Sequence, residues 1–282
     1  MFSPWDLRVV LDLFLGGAGI GAFLFASFLY FYRGSLHANL VRHGVMVTPI
    51  LMIIGIIFLL LEIGQPTRAM FSAPFMINST SILSWGTLLQ GAFIIISLYL
   101  AFKAKMGQIF EVPKALMVVG SVGALLVGFY HGLLLTATGR VAWDGLVPVM
   151  FMVGSLTSGY FLVTILDHCC GERKEKDKEL DFPLFFLSLL VVQFVTVFFW
   201  RYALFVGGEE QQLAHQFISG NCQLIWILVI HLIGMFLPGV MMLREILAGK
   251  KYLSRNTAII AGIAVFVGVF ALKALVIGVG QL

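Results

Sequence analysis

Leu11 to Phe25 reads LDLFLGGAGIGAFLF, an apolar run interrupted by one carboxylate, Asp12, and by the four glycines Gly16, Gly17, Gly19 and Gly21. Such a run fits a membrane-spanning helix, and an ionised Asp at the centre of a bilayer costs roughly 2.5–3.5 kcal/mol on insertion scales, less near the boundary. A carboxylate kept there faces inward, towards a partner or a ligand. Helical spacing sets Gly16 and Gly19 on the face of Asp12, at i+4 and i+7. Gly17 and Gly21 form a GxxxG spacing that lets a second helix approach closely. A phosphate-binding reading of these glycines fails, because that fingerprint needs a preceding strand and a solvated helix start.

The whole chain shares this character. Hydrophobic residues make up 60% of its 282 residues, charged residues 11%, and the mean hydropathy is +1.01. This is the composition of an all-α integral membrane protein with room for about eight spans of ~20 residues and no sizeable soluble domain. The net charge of +4 comes from loop lysines and arginines, so it reports orientation and does not indicate nucleic acid as a partner. No basic leader precedes the first apolar run, and no cleaved signal peptide is expected. The three cysteines, Cys169, Cys170 and Cys222, are too few for an iron-sulfur cluster or a structural zinc site on this chain. No metal site is expected.

Apolar runs place spans near residues 9–32, 44–63, 84–103, 115–137, 145–167, 184–206, 220–243 and 256–280. The connections on one side hold 13 of the 18 basic residues, and the other side holds Arg8, Arg68, Arg140 and Arg201. The positive-inside rule therefore puts both termini outside the cytoplasm. Trp5, Trp85, Trp143, Trp200 and Trp226 all fall at that outer end, which interfacial anchoring alone does not explain; a docking face there would. The longest polar connection, within residues 168–183, is expected to be a cytoplasmic loop. It separates residues 1–167, with the first five spans, from residues 184–282, with the last three. Two four-helix halves are expected, although no sequence repeat relates them.

Sorting the polar residues by depth brings several helices to one level. Asp12 lies about one turn inside the outer end of span 1; Glu62 ends span 2, with Arg68 beyond it. Trp85 opens span 3. Tyr130 and His131 lie in the outer half of span 4, with Arg140 past its end, and Lys273 lies in the outer third of span 8. Some of these could be structural ion pairs, such as Glu62 with Arg68 or Lys273. A two-haem cytochrome needs four axial histidines inside helices, whereas only His131 and His231 sit clearly within spans and at different depths. No haem is expected.

Three segments together resemble the membrane subunits of the NrfD and polysulfide reductase family. They are LDLFLGGAGIGAF in span 1; LLLEIGQPTRAMF (Leu59 to Phe71) followed by SWG (Ser84 to Gly86); and YHGLLLTATGRVAWDGLVPVMFMVGSLTSG (Tyr130 to Gly159). Glu62 stands where the family commonly has Asp, and Gln65 where it has Arg. The resemblance implies an eight-helix anchor in a prokaryotic cytoplasmic membrane that exchanges electrons between quinone, menaquinone or ubiquinone, and an extracytoplasmic partner. That partner would be a ferredoxin-like iron-sulfur subunit, joined by a molybdopterin-type catalytic subunit, so that clusters and molybdopterin belong to the partners. It further implies a quinone headgroup held between a polar residue of the first helix and a later tyrosine, positions that Asp12 and Tyr130 occupy.

Catalytic roles are thus expected for Asp12, Tyr130 and His131, and quinone contacts for Arg8, Gly16, Glu62, Arg68, Trp85, Arg140 and Lys273. A carboxyl, phenol or imidazole can donate to a ring carbonyl and accept from a ring hydroxyl reversibly. The competing expectations are a secondary transporter or ion-translocating protein, which would spread polar residues through the membrane depth, and a purely structural anchor.

Overall fold

The computed structural model describes residues 5–62, 81–170, 182–249 and 253–282. Eight helices there are long and apolar enough to cross a membrane. They are α1 (Leu7–Arg33), α2 (Ala38–Glu62), α3 (Ile82–Lys105), α4 (Lys114–Thr136), α5 (Leu146–Cys170), α6 (Phe182–Val206), α8 (Ile225–Leu247) and α9 (Arg255–Val279). A short helix, α7 (Glu209–Gly220), lies between α6 and α8. The described residues contain no strand.

The eight spans agree with the apolar runs, and the differences lie at their ends. Span 7 starts at Ile225 instead of 220, because α7 runs through Gly220 and the chain turns at Asn221 and Cys222 before the span. This helix carries Glu209 and Glu210 in its first turn, where carboxylates oppose the helix dipole, and it buries Ala214 and Ile218. The first half of α8, Ile225–Phe236, is wound as π-helix and turns α-helical at Leu237, ahead of Pro238. Wide turns of this kind are rare in helices and concentrate at functional positions.

Packing organises the spans into two rings. In one, α1 packs on α2, α2 on α3, α3 on α4 and α4 on α1; in the other, α5 packs on α6, α6 on α8, α8 on α9 and α9 on α5. The rings meet through α1, α2 and α4 against α5 and through α1 against α9, and the chain passes from one to the other between α4 and α5. The junction therefore falls at residues 137–145, ahead of the long polar connection that the sequence marks; residues 171–181 of that connection lie outside the described residues.

The glycines of α1 explain its central place. A Cβ at Gly21 would overlap the Ser155 carbonyl, and one at Gly159 would overlap the Gly21 backbone, so α1 and α5 touch main chain to main chain. Consistently, 78% of the apolar stretch of α1 and 72% of that of α5 is buried, against 28% in α3 and in α8. The first pair forms the axis of the molecule, and the second pair faces lipid.

Candidate functional site

The hydrophobic core divides into two clusters. On α1 one ends at Leu13 and the other begins at Ile20, and a layer of polar side chains lies between them. Asp12 is buried there at 4% exposure, and its Oδ1 has no hydrogen-bond partner. Gly55 of α2 backs directly onto it, since a Cβ at Gly55 would stand 2.9 Å from that oxygen. Glycine at this position lets α2 approach without covering the carboxyl with a methyl group.

His131 of α4 is 2% exposed, and both of its ring nitrogens are buried without hydrogen-bond partners. Its ring lies over Gly16: a Cβ there would meet His131 Cε1 at 3.0 Å and Met52 Sδ at 3.8 Å. Tyr130, the neighbouring residue, is also buried, with its ring centroid 6.2 Å from that of His131. The Tyr130 ring occupies the space that a side chain at Gly86 would need, so the SWG segment of α3 seats the phenol.

Lys273 enters from the other ring. It is 1% exposed on α9, and its Nζ donates to the Leu13 carbonyl at 2.7 Å and lies 5.1 Å from the centroid of the Phe151 ring. Nζ and Ser155 Oγ flank Gly17 from the α9 and α5 sides; a Cβ would come within 2.6 and 2.5 Å of them. Asp12 interacts electrostatically with both Lys273 and Tyr130, yet no ion pair closes between Asp12 and Lys273. A carboxyl, an imidazole, a phenol and an ammonium thus converge from α1, α4 and α9 with hydrogen-bonding capacity left over. Leaving such groups unpaired away from water costs several kcal/mol, on the order of 1–3 each, unless a polar ligand completes them.

The remaining expected residues fall elsewhere. Arg8 turns away from Asp12 into a clasp at the end of the bundle. Its guanidinium bridges Asp6 at 2.7 Å and Glu62 at 2.8 Å and donates to the Leu61 carbonyl at 2.7 Å. The hydrogen bond from Arg8 holds the Asp6 carboxyl below the usual carboxylate range. Glu62 therefore pairs with Arg8 and not with Lys273, and the two fasten α1 to α2 above the polar layer. Trp85 is 53% exposed beside Gly86. Arg140 lines a separate cavity of about 450 Å³ with Glu210 and the chain end at Leu282. Arg68 lies outside the described residues.

The tryptophans have a packing explanation. Trp143 and Trp200 are buried and donate to the carbonyls of Val276 and Ala142, at 2.7 and 3.0 Å. Trp5 packs on Trp143 and Trp226 on Trp200, with centroids 5.3 and 6.1 Å apart. Four of the five therefore knit one end of the core together, and only Trp85 is mostly exposed.

Several contributors carry no sequence signal: the Leu13 carbonyl, Gly55, Met52 and Ser155. At the opposite end of the bundle, His43 of α2 faces Asp167 of α5 at 4.0 Å. His43 lies within α2, although the apolar run that marks this span begins only at 44. His231 stands apart from His131, its Nδ1 donating to the Trp226 carbonyl at 2.7 Å and its ring edge-on to Phe194.

Comparison with known proteins gives the same family as the sequence segments. The family model described as "Polysulphide reductase, NrfD" matches residues 2–282. A protein of Haemophilus influenzae, "Protein NrfD homolog", is 23% identical over 311 residues, covering 99% of this chain and 94% of that protein. The match extends through the second ring, where the sequence segments show no likeness beyond topology. The chain belongs to the NrfD family, membrane subunits of the polysulphide reductase type.

Proposed function

We propose that this subunit oxidises quinol or reduces quinone at the polar layer formed by Asp12, Tyr130, His131 and Lys273, and exchanges electrons with an extracytoplasmic iron-sulfur partner, which accepts them in the first direction and supplies them in the second. The observation that carries this reading is the set of buried, unpartnered polar atoms, Asp12 Oδ1 and both ring nitrogens of His131, within a layer bounded by apolar clusters. A carbonyl or hydroxyl headgroup satisfies such atoms where an apolar ligand would not.

Quinone, when bound, supplies the two-electron, two-proton chemistry. The chain's own residues handle the protons. Asp12 Oδ1 would accept a proton from a ring hydroxyl as quinol gives up electrons to the partner, or return one to a ring oxygen as quinone takes electrons from it, by changing its ionisation state. The nitrogens of His131 and the Tyr130 hydroxyl can each donate or accept, so they hold the headgroup in either redox state. Lys273 Nζ, donating to the Leu13 carbonyl, brings the α9 side of the layer up to Asp12 and holds it there. Asp6, Arg8 and Glu62 close the end of the α1–α2 pair above them.

In this reading the tryptophan end faces the extracytoplasmic side of a prokaryotic cytoplasmic membrane, as the excess of basic residues on the opposite connections favours. The partners are a ferredoxin-like iron-sulfur subunit and a molybdopterin-type catalytic subunit, and the quinone is menaquinone or ubiquinone. Asp12→Asn in the intact complex is the test. Quinol-linked turnover is expected to fall at least ~100-fold, the usual scale for a lost acid–base group, with subunit content unchanged. Full turnover in that variant would leave only a structural anchor.

A further inference from the structure

The second ring holds a feature that the polar layer does not use. Between α6 and α8 runs an apolar cleft of about 540 Å³, lined among others by Leu190, Val191, Phe194, His231, Gly239 and Leu243. Along α8 it extends from Ile227 to Leu243, at most about 24 Å at α-helical rise, which is the scale of one extended acyl chain. Its floor is open at Gly239, where a Cβ would meet only Leu190 Cδ1, at 3.7 Å.

Polar chemistry gathers at the tryptophan end of this cleft. His231 packs on Trp226 with centroids 4.6 Å apart, and the Arg201 guanidinium lies over the same Trp226 ring, 5.1 Å from its centroid. Arg201 Nη2 donates to Ser219 Oγ at 2.6 Å, but among the described residues no carboxylate stands within ion-pair distance. Arg201 sits five residues before the end of α6, roughly 8 Å along the helix, and is partly exposed. At that depth a guanidinium reaches the headgroup region, where an anionic headgroup supplies the counter-charge that the described residues do not.

We propose that this is a binding site for one anionic phospholipid, its phosphate paired with Arg201 and one acyl chain lying in the α6–α8 cleft. Charge decides between occupants. A quinone offers no anion to Arg201, and the one polar side chain lining the cleft, His231, donates through Nδ1 to the Trp226 carbonyl and so has no donor left on Nε2 for a ring carbonyl. A phosphate accepts two parallel hydrogen bonds from a guanidinium, and the apolar walls take the chain.

Trp226 makes the site readable. The purified complex would be reconstituted in nanodiscs containing phosphatidylcholine with either brominated phosphatidylglycerol or brominated phosphatidylcholine, and quenching of tryptophan fluorescence compared. The expected result is a roughly fivefold stronger apparent affinity for the brominated phosphatidylglycerol, as one juxtamembrane basic residue confers. That preference should vanish in Arg201→Gln and with Trp226→Phe as the silent reporter. Gly239→Leu, which keeps Arg201 and fills the cleft, should abolish the excess quenching too and guards against misfolding of the Arg201 variant. Equal quenching by both lipids, a preference that survives Arg201→Gln, or displacement of the lipid by added quinone would each overturn the proposal.

Discussion

At the scale of single residues, the account turns on why α1 and α9 keep two buried ionisable side chains. Asp12 was legible from sequence because a carboxylate in LDLFLGGAG is expensive; Lys273 was legible for the same reason. Their partners were not. A glycine, a serine or a carbonyl is ordinary in a membrane helix, so nothing marks Gly55, Ser155 or the Leu13 oxygen until the helices are docked. Arg8, expected as a quinone contact, lies one turn from Asp12 in sequence, yet its guanidinium points away to Asp6 and Glu62. The energetics yield a separable prediction for Lys273→Met. Burying an ammonium costs more than burying a thioether of similar volume, so thermal stability should stay equal or rise, while quinol-linked turnover falls by at least ~10-fold. Differential scanning fluorimetry alongside turnover checks it; a parallel loss of both would make Lys273 a structural group.

At the scale of elements, hydropathy located all eight spans, because burying backbone in lipid demands long apolar helices whatever the tertiary packing. It missed α7, which is too polar to register as a span, and the π-helical turns of Ile225–Phe236, whose composition is that of any apolar helix. The GxxxG of α1 was readable as a packing face, and the structure supplies its counterpart, Ser155 to Gly159 on α5. Gly21→Val should therefore force α1 from α5, destabilising the subunit by about 1–3 kcal/mol or more as overpacking does, and should lower its melting temperature without any substrate present. Gly86→Ala acts on the site instead. Its methyl group overlaps the Tyr130 ring, so KM for quinol should rise several-fold with helicity and assembly preserved; an unchanged KM would remove Tyr130 from the headgroup contacts.

At the scale of the whole molecule, the polar layer lies where the two rings meet, since Lys273 of the second reaches the backbone of α1 in the first. Sequence alone supplied the number of helices and one common depth for Asp12, Tyr130, His131 and Lys273. It did not supply the junction, because the longest polar connection follows α5 while the rings divide before it. The tryptophan asymmetry likewise reads as packing of one end, with Trp143 and Trp200 buried, once the helices are in place. The orientation proposed from the basic residues has its own test: a periplasmically active reporter fused at either terminus should be active, and activity of a cytoplasmic reporter there would invert the assignment. The central claim, that quinone reacts between the rings, meets its most direct test in photolabelling of the intact complex with an azidoquinone, followed by peptide mapping. Label competed away by excess quinol should fall on α1, α4 or α9 and be lost in Asp12→Asn; label confined to α6 and α8, or to a partner subunit, would contradict it.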